Sequence, residues 1–280
     1  MKNYKQITIY VTLLGVTVML MLLLWSYGKS SPSVKRITED VRDFGEICNE
    51  GILRVATEYN QIGYFIDGDT VSGFQYDLVL LFGKAMNLQV EIYPEMDMQK
   101  SIDGLQSRKY DIIARNLSIT GSLRKGMSFT HPLILNKQVL VQRKAEFNQG
   151  LHPVRNQLDL ARKTLYIPKN SPSMMRIRNL SVEIGDTVYV DEVEKYGDEQ
   201  LIIMVAKGDI DYAVCDEIIA QKSQAVYPEI DIDTDISFTQ LNAWAVRKDS
   251  PELLDSLNTW ISRLKKSKEI DKIQRKYFSF

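Results

Sequence analysis

From Gly51 onward the chain alternates between two hydrophobic rhythms. Ile52-Leu53-Arg54-Val55-Ala56-Thr57 is a short strand pattern. Tyr76 to Met86 carries apolar residues at 78, 81, 82, 85 and 86, the spacing of one helical face. Leu88 to Tyr93 alternates and predicts a strand, Met98 to Ser107 an amphipathic helix, Tyr110 to Ala114 a buried strand, and Val139 to Val141 another. The grammar then repeats. Strand Thr164 to Ile167 precedes a helix from about Ser173, strand Val188 to Val190 a helix over Glu199 to Lys207, and strand Tyr212 to Cys215 a helix over Glu217 to Val226. Near the end, Ala243 to Val246 predicts a strand. Pro251 to Lys265 predicts a core-facing helix, with Leu253, Leu254, Leu257, Trp260, Ile261 and Leu264 on one side and Pro251 in the first turn, where its missing N–H costs nothing. Alternating strands and helices predict an α/β fold with mainly parallel sheets, in two blocks with a cleft between them.

The first thirty residues follow a different pattern. Ile7 to Trp25 is free of charge and just long enough to cross a hydrocarbon layer as a helix, and Lys2 and Lys5 precede it. It is read as a transmembrane anchor that leaves the bulk of the chain outside the cytoplasm. A cleaved signal segment ending near Ser26-Tyr27-Gly28 is the alternative. Ser30-Ser31-Pro32-Ser33 reads as a polar tether, and the mixed segment Val34 to Asn49 as a helix leading into the domain.

Composition narrows the classes of function. The chain has 280 residues, 44% of them hydrophobic, and a formal charge of -1 from 35 basic and 36 acidic residues. This is a globular balance, with no electrostatic reason to expect nucleic acid as a partner. Two cysteines exclude a disulfide framework. Cys215, in an apolar run, suits a buried free thiol, with a bridge to Cys48 as the alternative. The two histidines, His131 and His152, give little material for a metal site, and neither a metal nor a cofactor is expected.

Ligands of open α/β sheets bind at the carboxyl ends of strands, so the loops that follow the strands hold the candidate chemistry. After Tyr110–Ala114, Ser118 and Thr120 offer hydroxyls and Arg124 a guanidinium, a set that suits a carboxylate; the same residues also read as a capped helix with a surface arginine. After Thr164–Ile167, Ser171 is a natural N-cap with Pro172 at the first helical position, and Ser173 follows. After Tyr212–Cys215, Asp216 either caps a helix or receives an ammonium group. Near the first strand, Glu58, Tyr59, Tyr64 and Phe65 either wall a pocket or form a solvent-touched cluster.

The order of these segments is recognisable. GILRVATEYNQIGYF, GFQYDLVLLFGKAM, YDIIARNLSIT followed by an arginine, MSFTHPLILNKQVLVQRK and DYAVCDEIIA together resemble the family 3 extracellular solute-binding proteins. Within that family the chain is most similar to the binding domain of membrane-bound lytic transglycosylase F-type proteins. The resemblance implies a two-lobed, hinged periplasmic-binding-protein type II fold. Residues 1–30 would be the anchor or signal, 31–50 a linker and leading helix, 51–141 plus 243–280 lobe 1 and 142–242 lobe 2, with crossings near Gln142 and Asn242. It further implies that Arg124, helped by Thr120 and Ser118, grips a ligand's α-carboxylate. Ser171 and Ser173 would line lobe 2, and Asp216 would receive an α-ammonium. On that basis Arg124→Ala would weaken binding at least about tenfold.

Two features depart from the family pattern. Thr120 and Arg124 are four residues apart rather than three, and Pro172 interrupts the serine turn of lobe 2. In addition, the catalytic glutamate domain of a transglycosylase finds no counterpart before Phe280, and the adjacent Asp198-Glu199 pair points apart on a helix. The reading is therefore a binding protein, not an enzyme. Its ligand would be an amino acid, a short peptide or a muropeptide. Its partners would be a membrane permease or a cell-wall enzyme, and its attachment to the membrane would be the N-terminal helix. A cell-wall enzyme relative and a sensor without ligand affinity are the competing classes.

Overall fold

The computed structural model describes residues 14–21 and 42–278. The chain divides into a unit up to Val41 and a unit from Arg42. Residues 14–21 are helical and exposed. The rest of the Ile7–Trp25 run and the serine tether lie outside the described residues, among which no helix is long and apolar enough to cross a membrane.

The second unit opens with helix α1 (Phe44–Glu50). Asp43 starts it by accepting from the Phe44 N–H at 2.8 Å, while the Glu46 carboxylate accepts from the Asp43 N–H. The Asp43 carboxylate also accepts from Glu252 and Leu253 N–H at the start of a much later helix, so one cap ties both ends of the unit together. Strand β1 (Ile52–Thr57), hairpin β2 (Phe65–Asp67) and β3 (Thr70–Ser72), helix α2 (Phe74–Met86), strand β4 (Gln89–Pro94), helix α3 (Met98–Gln106) and strand β5 (Ile112–Ser118) follow. A single turn α4 (Leu123–Gly126) leads to short strands β6 (Met127–Phe129) and β7 (Ile134–Asn136). The chain then crosses into a second sheet with β8 (Gln138–Arg143), β9 (Thr164–Pro168), helix α5 (Ser173–Ile184), β10 (Tyr189–Val193), helix α6 (Asp198–Lys207), β11 (Ala213–Asp216), helix α7 (Glu217–Gln224) and β12 (Ile230–Asp235). It returns through β13 (Gln240–Arg247) and ends in helices α8 (Pro251–Lys266) and α9 (Glu269–Phe278).

The first sheet has the order β4-β1-β5-β13-β6, with β7 also on β13, and the second the order β10-β9-β11-β8-β12. Three readings need correction here. Val139–Val141, expected in lobe 1, belongs to β8 and so to the second sheet. The crossings fall at Lys137 and at residues 236–239, ahead of the expected positions near Gln142 and Asn242, and Asn242 itself pairs with Ser118 in the first sheet. The sheets are mixed rather than mainly parallel: β8, β12 and β13 pair antiparallel with their neighbours. β8 and β13 each enter their sheet directly from the other lobe, with no helical crossover before them, and so are free to run antiparallel, whereas β12 follows α7 and is antiparallel only to the reversed β8. Strand β12, Ile-Asp-Ile-Asp-Thr-Asp, was not anticipated because aspartate is depleted in strands.

The continuous apolar runs are explained by burial on both faces of each sheet. In β8, Val139 and Val141 face one core while Leu140 faces another with Leu165, Ile167 and Val214. In β5, Ile112 and Ala114 join the main core, whereas Ile113 and Leu117 pack with Met98, Leu105 and Ala245. Cys48 is exposed, Cys215 is buried, and both are free thiols.

Candidate ligand site

The strands of the two sheets present their ends to one cavity. Its walls include Glu58 after β1, Arg115, Asn116 and Ser118 on β5, Ser171 and Ser173 after β9, Asp198 at the start of α6, and Asp216 at the end of β11, with Met96 and Met98 as apolar lining. Its volume is about 50 Å³, well below the ~300–1,000 Å³ usual for ligand pockets. Two larger grooves flank it. One of about 300 Å³ shares Met98, Ser171 and Pro172 with it, and one of about 330 Å³ shares Met96, Pro168 and Lys169.

The cavity is small because the lobes are closed on each other. Gln61 of lobe 1 donates through Nε2 to Ser223 Oγ at 2.7 Å and through its N–H to Glu199, and its carbonyl accepts from Lys222 Nζ at 2.7 Å. Asn170 Nδ2 donates to Asp97 Oδ1 at 3.2 Å. Asn116 Nδ2 donates to Asp216 Oδ2 at 3.4 Å.

The Asn116 contact ends a chain whose polarity is fixed. Trp244 Nε1, in the core, can only donate, and it donates to Gln75 Oε1 at 2.6 Å. Gln75 must then offer Nε2, which reaches Asn116 Oδ1 at 2.9 Å. Asn116 is left presenting its amino group to lobe 2. The loop that carries Glu58 and Gln61 is held by the start of α2, where Phe74 N–H donates to Ile62 O at 2.7 Å and Gln75 N–H to Gly63 O at 3.0 Å. Gly73, at φ +144°, permits this: a Cβ there would lie 2.2 Å from Gly63 O.

The site is acidic. Asp216 occupies the N-cap position of α7 yet makes no cap bond, so its carboxylate is free for the cavity. Its pKa is raised to about 7, first by enclosure in the protein and then by Glu58, with the Asn116 bond and the Arg115 charge opposing. Asp198 is pushed well above the usual carboxylate range by enclosure, by Asp216 and by Glu58. It accepts from the Asp216 N–H at 2.8 Å, which locks the two carboxylates side by side. Arg115 Nη2 pairs with Glu58 Oε1 at 2.8 Å. Among the described residues no group of three or more His, Cys, Asp or Glu is placed to hold a metal ion.

Of the residues singled out in sequence, Glu58, Ser118, Ser171, Ser173 and Asp216 line the cavity. Ser171 Oγ meets Ser173 Oγ at 3.0 Å and accepts from the Ser173 N–H at 3.3 Å; α5 begins at Ser173 as its spacing predicts, but Pro172 rather than Ser171 occupies the N-cap. The placement of Arg124 is corrected: it is exposed and is not part of the cavity wall. Strand β5 runs on to Ser118, Thr120 Oγ1 accepts from the Leu123 N–H at 3.3 Å to close its own turn, and Leu123 packs on the Met98–Leu117 core. With Leu123 turned inward, the next residue on a helical turn points to solvent. Thr120 lines the flanking groove instead. Tyr59 and Tyr64 are likewise not part of the wall; they meet edge to face at 6.1 Å, in a cluster with Tyr76. Arg115, Asn116 and Asp198 were not recognised as site residues. The signal that marks Arg115 and Asn116 is their position at the carboxyl end of β5, beside Ser118, where strand ends face the ligand.

These features define the class: two mixed α/β lobes joined by two crossings, with a polar cavity between them, as in type II periplasmic binding proteins. Residues 53–280 match the bacterial extracellular solute-binding proteins, family 3, and the chain belongs to that family. It is 24% identical to membrane-bound lytic murein transglycosylase F of Photobacterium profundum, over 86% of this chain and 46% of that protein. It is 28% identical to the protein of the same name from Desulfosudis oleivorans, over 84% and 50%. The chain thus spans about half the length of these relatives. Among solved structures, an ancestral arginine-binding protein bound to arginine is similar with a TM-score of 0.71 and 27% identity, over 81% of this chain and 98% of that one.

Proposed function

We propose that the interlobe cavity binds a small zwitterion outside the cytoplasm, an amino acid or a molecule with an amino-acid-like end. The observation that carries the reading is the convergence of Glu58 from lobe 1 with Asp198 and Asp216 from lobe 2 on one enclosed space. Carboxylates crowded in this way are stabilised by a bound ammonium group, which replaces mutual repulsion with charge-assisted hydrogen bonds. A ligand that touches both lobes binds the closed state better than the open one and shifts the population toward closure. Lys137 and residues 236–239 are the segments that would flex. The arginine-bound relative supports an amino acid as ligand. The role is that of a binding protein rather than a catalyst, tethered to the membrane by residues 7–25, its closure read by a permease or a cell-wall enzyme.

A second reading is favoured by the names of the curated relatives: recognition of a peptidoglycan fragment as the regulatory part of a cell-wall enzyme. Thermal melting of the purified full chain against L-amino acids and muropeptides tests both. A ligand at about a hundred times its dissociation constant stabilises by roughly 2.7 kcal/mol, a shift of several degrees. A shift with amino acids supports the first reading and a shift with muropeptides alone the second. No shift with either contradicts both.

A further inference from the structure

We infer that Arg115, not Arg124, is the receptor for the ligand's carboxylate, an inference that rests on the zwitterion reading above. Among the described residues only two cations line the cavity, Arg115 and Lys169. Lys169 is exposed and pairs outward with Glu194. Arg115 is different: its side chain is 13% exposed, Glu58 engages it through Nη2, and Nη1 is enclosed without a hydrogen-bond partner among the described residues. An enclosed guanidinium N–H without an acceptor is costly, and a planar fork held at one edge offers its remaining edge in a fixed direction. The other charged groups on the wall do not supply the missing acceptor. Asp216 receives from Asn116 and Asp198 from the Asp216 N–H, and Glu58 is already in use on Nη2. A carboxylate brought in by a ligand completes the set.

The assignment gives each end of the ligand its own lobe. The carboxylate rests on β5 of lobe 1, where Glu58 positions the guanidinium, and the ammonium lies across the gap on the carboxylates of lobe 2. The guanidinium that the sequence pattern puts at the start of a helical turn is supplied from within the strand, and Arg124 is left free in solvent.

The test is calorimetry on the full chain with two probes, L-arginine and agmatine, which keeps the amine and guanidinium of arginine but has no carboxylate. The inference predicts that the wild type binds L-arginine at least tenfold more tightly than agmatine. Arg115→Gln should weaken L-arginine at least tenfold while leaving agmatine within about twofold, and Arg124→Gln should leave both within about twofold. Loss of L-arginine binding in Arg124→Gln with no change in Arg115→Gln overturns the assignment, as does an equal loss of both probes in Arg115→Gln, which marks a structural role. A second measurement needs neither a variant that folds nor an amino acid that binds. The Arg115 Nε–Hε NMR signal of the wild type should move as sodium acetate is added and stay still with sodium chloride at the same ionic strength. An acetate response in a protein that binds no amino acid overturns the zwitterion reading alone. No acetate response overturns Arg115 as the receptor.

Discussion

Asp216→Asn separates the cost of the acidic site from its use. In the unfolded chain an aspartate titrates near 3.9, whereas in the closed lobes Asp216 titrates at about 7. The folded state therefore holds its proton more tightly than the unfolded state. Below pH ~4 the group is protonated in both states and contributes no difference. As pH rises from about 4 to 7 the unfolded chain releases the proton first, and folding stability falls. Above pH 7 the loss is complete. A shift of about three units corresponds to at most about 4 kcal/mol. The carboxylate still touches the cavity, and parting of the lobes lets more water reach it, so about 1–3 kcal/mol is the expected size. Asparagine keeps an oxygen to accept from Asn116 and removes the charge beside Glu58 and Asp198. The variant should match the wild type in denaturant melts at pH 4 and exceed it by about 1–3 kcal/mol at pH 8, while binding a zwitterion at least tenfold more weakly. A variant no more stable than the wild type at pH 8 would refute the reasoning.

Three further outcomes follow from the geometry. Gln75→Leu strips the buried Trp244 Nε1 of its acceptor, which should cost about 1–3 kcal/mol in a denaturant melt; it also frees Asn116 to flip, so ligand affinity should fall as well. Gly73→Ala puts a Cβ 2.2 Å from Gly63 O. It should destabilise by about 1–3 kcal/mol and weaken binding through the displaced Glu58 loop, both read from melts with and without L-arginine. Asp111, fully buried, accepts from Arg42 Nε at 2.8 Å and Arg54 N–H at 3.0 Å. Asp111→Ala should cost about 3–5 kcal/mol yet leave the dissociation constant of the surviving folded protein within about twofold, because the cluster is not part of the cavity wall.

The helices and central strands were legible because their apolar spacing is dictated by burial. Helix α8 was expected over Pro251–Lys265 and runs to Lys266. What pattern reading lost was length and direction at the edges. β5 continues for four residues beyond Ala114 through Arg115 and Asn116, polar positions that look like loop because they face a cavity rather than a core. The crossings were misplaced because β8 is apolar on both sides, and an apolar run does not say which sheet receives it. In the site, the serines and Asp216 stand on the wall because the loops after strands must face the cleft. Arg124 does not, since Leu123 packs inward and the next residue on a helical turn is rotated from it by about 100°. In sequence Asp198 is half of an adjacent pair with Glu199; its importance comes from Asp216, eighteen positions away, which only the fold brings beside it.

The most direct test is native mass spectrometry of the full chain purified without denaturation, comparing the wild type with Asp216→Asn. The account predicts that the wild type carries a releasable small molecule with both an amine and a carboxylate, and that the variant carries little or none. A wild-type protein that is empty, and that stays empty after incubation with L-amino acids and muropeptides, would contradict it.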